Sequence, residues 1–150
     1  MALTIAQIED AIIAALQASD LADVCKTIDT YGGEIEDLMR EVATLIIPLP
    51  AVFVLYMGSK LSEPANRSYD DELTFGLVAI TKSLRGRADL RTGMYEILEI
   101  LKTKGLLIDN NLGLEPKIEP LKPDTIEVIL ATKIFYAYRF DLKTSQSIDI

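Results

Sequence analysis

Residues 51–58 read AVFVLYMG, and this apolar run decides the fold. Successive side chains of a β-strand point to opposite faces of a sheet, so this strand would be apolar on both faces. A second run at residues 72–83, ELTFGLVAITKS, has the same character at its centre. Such a sheet needs cover on both sides, either from the helices and C-terminal strand of this chain or from another subunit. We favour another subunit, because a large exposed apolar patch marks an interface.

Three segments around these strands are predicted to be helices. Apolar residues recur at helical spacing over residues 5–18, over residues 34–47 and within residues 85–105. Thr4 and Gln7 can form a capping box at the start of the first helix, where each side chain accepts a backbone N–H. Prolines follow the second segment and end that helix, because proline lacks the N–H and clashes with the preceding turn.

The rest of the chain predicts further strands and a loop. Residues 23–33 form a short strand, residues 59–71 a polar loop, and residues 115–124, with three prolines, an extended connection or edge strand. Residues 125–142 alternate between apolar and polar positions, which predicts one long strand. A straight strand of that length is unusual, so we expect a bend or bulge near residues 132–133.

Together these elements predict an α+β fold in a single domain over residues 1–150. The expected architecture is a mostly antiparallel sheet with about three helices packed mainly on one face. The length of the chain agrees with one domain. We expect residues 143–150 to be a frayed tail, as chain termini often are.

The composition argues against several classes of protein. A net charge of −8 argues against sequence-specific binding of nucleic acid. The longest apolar run has 13 residues and two prolines, whereas a membrane helix needs about 20 residues. No basic segment precedes the first helix, so no signal peptide is predicted. Without histidine the chain lacks the commonest general base and metal ligand, and we expect no enzyme activity, metal or cofactor.

The chain has one cysteine, Cys25. A lone cysteine cannot form an internal disulfide, which favours a reducing compartment. No histidine is present to activate the thiol, so we expect Cys25 to be an inert, buried core residue.

Two groups of like charge flank the second strand. The arginine group comprises Arg85, Arg87 and Arg91. The acidic triplet comprises Asp70, Asp71 and Glu72. The arginines begin a predicted helix, where the positive end of the helix dipole disfavours cations. An extended strand over residues 73–83 would hold the two groups about 35 Å apart, so they would meet only between chains packed head to tail.

Charge spacing alone favours a simpler interpretation of these two groups. Both can be solvated loops at opposite ends of the sheet, with the arginines paired locally, for example to Asp89. A third possibility is a small hydrolase that uses carboxylates such as Asp70 and Asp71, and the absence of any base–nucleophile pair speaks against it.

The chain resembles the tail terminator proteins of Mu-like bacteriophages over about residues 4–142. The likeness rests on PAVFV at residues 50–54 with Gly58, on Arg85–Gly86, and on the Gly93–x–Tyr95 motif that opens an amphipathic helix. None of these motifs is catalytic.

The resemblance implies a structural phage or prophage tail protein without enzyme activity or cofactor. Such proteins form a hexameric ring at the head-proximal end of the tail tube. The ring ends tube growth, gives the head a docking surface and, in contractile tails, meets the sheath. The arginine group would then face acids of a ring neighbour or of a tube, sheath or head-completion protein. The implied locations are the virion tail and, during assembly, the host cytoplasm. A head-completion or other minor tail protein is the alternative.

Overall fold

The computed structural model describes residues 3–32, 35–44, 48–62, 68–82, 95–101, 122–131 and 135–149. Its helices in chain order are α1 (Ile5–Gln17), α2 (Leu21–Val24), α3 (Ile35–Thr44) and α4, whose described residues are 95–101. Its strands are β1 (Thr27–Thr30), β2 (Ala51–Leu61), β3 (Ser68–Lys82), β4 (Lys122–Ala131) and β5 (Phe135–Asp149).

The strands of the described residues form one mixed sheet in the order β1-β2-β3-β5-β4. β1 is parallel to β2, and the other three neighbouring pairs are antiparallel. The parallel pair requires a crossover, which α3 provides between β1 and β2. The predicted class, a single α+β domain with a mostly antiparallel sheet, is confirmed.

β3 is the central strand of the sheet. It pairs with β5 over its whole length, from Ser68 opposite Asp149 to Lys82 opposite Phe135. On its other side it pairs with β2, from Ile80 opposite Ala51 to Asp71 opposite Leu61. Its backbone is therefore hydrogen-bonded on both sides, and its side chains alone decide what each face of the sheet can pack against.

Different helices cover the two faces of the sheet. On one face, called the α1 face, helices α1, α2 and α4 bury a cluster that includes Phe75 and Phe140. On the other, called the α3 face, Leu38 of α3 packs in a cluster with Phe53 and Val78. The prediction that helices lie mainly on one face is confirmed. In the described residues helices of this chain pack on both faces of the sheet, and the expected contact with a second subunit stays a prediction.

Helix α1 forms where its sequence pattern predicts it. The Thr4 hydroxyl accepts the Gln7 backbone N–H at 3.1 Å, and the Gln7 side-chain oxygen accepts the Thr4 N–H at 2.8 Å. Both groups would otherwise lack a partner at the helix start. The apolar face of the helix is completely buried, through Ile8, Ile12 and Leu16.

Residues 59–61 and 68–71 of the polar segment are strand, so the loop predicted over residues 59–71 is too long. β2 continues to Leu61 through a β-bulge between Tyr56 and Gly58, and β3 already begins at Ser68. Gly58 has a φ of 122°, a conformation that residues with a side chain rarely adopt. Polar side chains are compatible with a strand where one face meets solvent, since the ladder bonds are made by the backbone.

The long alternating segment at residues 125–142 is two strands, and the prediction of one bent strand is wrong. β4 and β5 pair antiparallel, with Ile126 opposite Phe140 and Val128 opposite Tyr138. The predicted bend at residues 132–133 lies outside the described residues. Folding back gives β4 ladder partners on the side that faces β5, which a single extended strand would lack. Pro123 lies in β4 at the edge of the sheet, where a missing N–H is tolerated.

The C-terminal residues are ordered strand, so the prediction of a frayed tail at residues 143–150 is wrong for residues 143–149. β5 extends to Asp149 because β3 supplies a partner for every one of these residues. Gln146 adds a second anchor: its amide oxygen accepts the Leu3 N–H at 3.0 Å, and its amide nitrogen donates to the Leu3 carbonyl at 2.9 Å. Both ends of the described chain are thereby joined.

Cys25 lies in the core on the α1 face, as predicted. It follows α2, is a free thiol and has 7% of its surface exposed. Burial raises the pKa of the Cys25 thiol from its ordinary value of 9.0 to about 12. The thiolate is the nucleophilic form, so this environment makes Cys25 unreactive at neutral pH.

Replacing Gln146 should test the anchor at the chain ends. We expect Gln146→Ala to lower the free energy of unfolding by about 1–3 kcal/mol, because two buried backbone groups of Leu3 lose their partner. Ser147→Ala, a neighbouring exposed change, should cost about 0.5 kcal/mol or less. Urea denaturation measures both variants. Equal, negligible effects would mean that the C-terminal strand is frayed in solution.

Labelling of Cys25 should be slow in the native protein and fast in denaturant. A thiol-reactive dye at mildly alkaline pH measures the two rates, and rapid native labelling would contradict the buried position. Because the pKa of the folded thiol exceeds its ordinary value, stability is retained below about pH 9 and falls as the pH rises towards 12. Cys25→Ala should lack this part of the pH dependence.

Candidate interaction surface

The acidic triplet lies at one end of the sheet, which we call the hairpin end: the end of β2, the start of β3 and the end of β5. The register sets Asp70 opposite Ser147, and Glu72 between Lys60 and Ser145. Asp71 lies between Leu61 and Gln146. The triplet is therefore part of β3 and not a loop, which corrects the position predicted for it.

Strand alternation divides the triplet between the two faces. Leu73 and Phe75 belong to the cluster on the α1 face, so Asp71 shares that face. Asp70 and Glu72 lie on the α3 face, and both are exposed. Asp71 is buried, with 7% of its surface exposed. Three consecutive acids thus have two different environments.

The partners of the three acids also differ. The Ser147 hydroxyl donates to Asp70 Oδ1 at 3.2 Å, and the Asp70 backbone pairs with Ser62. Glu72 lies opposite Lys60 on the same exposed face. By contrast, Asp71 Oδ1 is buried and has no hydrogen-bond partner among the described residues.

The arginine group, Arg85, Arg87 and Arg91, lies outside the described residues, so its partners stay a prediction. β3 nevertheless constrains the two groups. Ten residues of extended strand separate Glu72 from Lys82, the last residue of β3, and place them about 33 Å apart. β3 is therefore extended, which is the condition under which the sequence analysis predicted that the acidic triplet and the arginine group lie far apart.

The part of the α3 face beyond helix α3 carries a network of charges that the sequence did not indicate. Arg139 Nη2 lies 2.5 Å from Glu127 Oε1, and Arg139 Nε lies 3.1 Å from Asp141 Oδ1. Lys143 pairs with Asp124 at 3.6 Å. The Arg139–Glu127 and Lys143–Asp124 pairs join β4 to β5, and their register exists only because the two strands fold back on each other.

A second acidic surface is a groove of about 420 Å³ between α2 and α4. Its lining consists of Asp20, Asp23, Val24, Glu96, Glu99 and Ile100. Sequence analysis missed it because its two halves are more than 70 residues apart in the chain. Each half taken alone is an ordinary charged helix face.

The described residues contain no group of histidine, cysteine, aspartate and glutamate side chains arranged to hold a metal ion. Within the same part of the chain, no helix is long and apolar enough to cross a membrane. The two surfaces described above, the hairpin end of the sheet and the groove between α2 and α4, are both rich in acidic side chains. Charged surfaces of this kind can contribute to contacts with other chains.

Comparison with known proteins identifies the class as a phage structural protein of the tail-related kind. The model of one family, described as bacteriophage Mu, Gp37, matches residues 4–144. The chain belongs to this family. A comparison with curated proteins gives no significant match. The family assignment agrees with the resemblance to Mu-like phages that the sequence motifs indicated.

Proposed function

We propose that the protein is a tail terminator, a ring of identical subunits that caps the head-proximal end of the tail tube. The observation that carries the proposal is the match to the bacteriophage Mu Gp37 family over residues 4–144. The role is structural and requires no catalytic residue or cofactor. The ring ends growth of the tube, offers the head a docking surface and, in a contractile tail, meets the sheath.

The shape and charge of the sheet support assembly from head to tail. β3 is a 15-residue strand, which extends over about 50 Å. Acids lie at its first residues, and the segment with the arginine group follows its last residue. Opposite charges that precede and follow a long strand in the chain would favour heterologous contacts, which close into a ring when the rotation permits. In this proposal hexameric closure follows the family resemblance.

The proposed partners follow from this position in the particle. The subunit contacts its own copies in the ring, tube and sheath subunits on one side, and head-completion proteins on the other. It assembles in the host cytoplasm and remains in the virion tail. Since helices pack on both sides of the sheet in the described part of the chain, the proposed ring contacts would use charged and mixed surfaces.

Deletion of the gene in its phage tests the proposal directly. Electron microscopy should show tails of abnormal, excessive length without attached heads, and the gene supplied in trans should restore both properties. Tails of normal length that fail to join heads would assign the protein to head completion instead. Normal, infectious particles would overturn a structural role in the tail.

Charge reversal of the arginine group should separate folding from assembly. Arg85→Glu, Arg87→Glu and Arg91→Glu should each change the free energy of unfolding by less than about 0.5 kcal/mol, as surface changes usually do. Loss of a desolvated charge pair between chains costs about 2–5 kcal/mol, so ring formation and tail termination should fail. Thermal melting and electron microscopy measure the two effects.

Lys26→Glu is a matched control for these reversals, because Lys26 is an exposed cation at the start of β1. It should leave both melting and assembly unchanged. If the arginine variants also assemble and terminate tails normally, the arginines are solvated loop residues, and the intermolecular interpretation is wrong.

A further inference from the structure

The sheet has two edge strands, β1 and β4, whose outer sides have no strand partner among the described residues. They run in opposite directions, since β1 is parallel to β2 and each later neighbour in the sheet is antiparallel to the one before. β4 of one copy could therefore add to β1 of the next as an antiparallel strand. Such a contact repeats from copy to copy and grows without end unless its rotation closes a ring. Unprotected sheet edges aggregate in this way.

β4 carries several of the features by which natural proteins block such an edge. Pro123 lacks a backbone donor, and Asp124 and Glu127 are charged. The register between β4 and β5 also shifts at two points, and such irregularities bend and twist an edge strand. β1 has neither a proline nor a register shift, so the protection of this second edge has a different source.

The hydrogen bonds of β1 show which of its backbone groups point away from the sheet. The N–H groups of Thr27 and Tyr31 donate to carbonyl groups in or next to β2. Backbone groups alternate in direction along a strand, so those of Ile28 and Thr30 point outward. An incoming antiparallel strand would need both the N–H and the C=O of such a residue, because two opposed residues exchange two hydrogen bonds.

Each of these two outward residues already has one backbone group engaged by a side chain of its own subunit. Gln17, the last residue of α1, donates its side-chain amide to the Ile28 carbonyl at 3.3 Å. The Asp29 carboxylate accepts the Thr30 N–H at 2.8 Å. Gln17 and Asp29 are both exposed, so the two bonds lie at the surface where another strand would bind.

We propose that Gln17 and Asp29 form an edge guard that closes β1 to strand addition by a second copy of this chain. The guard acts by occupation, because neither Ile28 nor Thr30 keeps the donor and acceptor pair that an antiparallel partner needs. This inference concerns strand addition alone and does not rest on the tail-terminator proposal. In the proposed ring, copies would then associate through side-chain contacts and not by continuing the sheet.

Removal of both guard side chains from the full-length protein tests the inference. The double variant Gln17→Ala/Asp29→Ala should form open-ended assemblies at about tenfold lower concentration than the wild type, because two outward backbone groups gain a partner only by pairing. Sedimentation velocity over a wide concentration range measures this shift and separates open-ended assemblies from a closed ring. Thermal melting should change little, since both bonds are at the surface.

Conservative variants separate the two hydrogen bonds from changes in charge and size. Asp29→Asn keeps a side-chain oxygen that can accept the Thr30 N–H but loses the charge, so it should not promote assembly. Gln17→Glu keeps the size of the side chain but has no donor for the Ile28 carbonyl. Combined with Asp29→Ala, it should assemble like the double alanine variant. Asp10→Ala, which removes another exposed acid from α1, controls for the lower negative charge.

A proline at the edge locates the contact. Thr30→Pro removes an outward N–H and leaves the bonds between β1 and β2 in place. Added to the double alanine variant, it should return the assembly concentration to the wild-type value.

Three results would each overturn the edge guard. The double alanine variant could assemble no more readily than Asp10→Ala, which would mean that the two side chains protect nothing. Thr30→Pro could leave its assembly unchanged, which would place the contact on another surface. Asp29→Asn could promote assembly as strongly as Asp29→Ala, which would assign the protection to charge and not to the hydrogen bond.

Discussion

Pairing of β3 with β5 over fifteen residues is the interaction on which the rest of the structure depends. It places β3 at the centre of the sheet, with β2 on its other side, so β3 has ladder partners on both sides from Asp71 to Ile80. Because the main chain is satisfied, the side chains of β3 are free to build two cores. Phe75 and Leu77 serve the α1 face, and Val78 and Ile80 serve the α3 face. Each helix of the described chain packs on one of these surfaces.

The character of β3 changes along its length, and this change divides the molecule into two parts. From Leu73 onwards the strand is apolar enough to need helices on both sides, and α1 and α3 provide them. Before Leu73 it is acidic, and the α3 face is left exposed there. Gly76 lies near the boundary, where Met57 packs so closely that a Cβ on Gly76 would lie 3.2 Å from the Met57 sulfur. A core and an open charged surface thus share one strand.

This division has a consequence for how copies of the chain would associate. An exposed apolar face would have provided a non-specific driving force for oligomerisation. In the described residues most of the apolar sheet surface is covered within the subunit, so association in the proposed ring would depend on charge complementarity and on small apolar contacts such as Leu61. Charge complementarity contributes more to specificity and orientation than to affinity. The proposed tail terminator would benefit from that balance, because it would have to assemble only at the end of a tail tube.

The sequence by itself determined the elements whose signals are local. The Thr4–Gln7 capping box and the 3.6-residue period predict a helix over residues 5–18, and α1 ends one residue earlier, at Gln17. The apolar runs at residues 51–58 and 72–83 identify β2 and β3. Absence of histidine and a single cysteine correctly indicated that Cys25 is a buried core residue. Family membership was also accessible, through motifs at residues 50–54 and in the segment that leads to Tyr95.

Only the tertiary structure decided features that depend on partners far away in the chain. Alternation over residues 125–142 is the same for one long strand and for two paired strands, so the β4–β5 hairpin had no local signal. Residues 143–149 look like a tail until β3 and Leu3 supply their hydrogen bonds. In the sequence alone the three acids of the acidic triplet are equivalent. In the folded sheet their pairing register buries Asp71 and exposes Asp70 and Glu72. The physical reason is the same in each case: backbone pairing and burial are set by neighbours across the sheet, which proximity in sequence does not reveal.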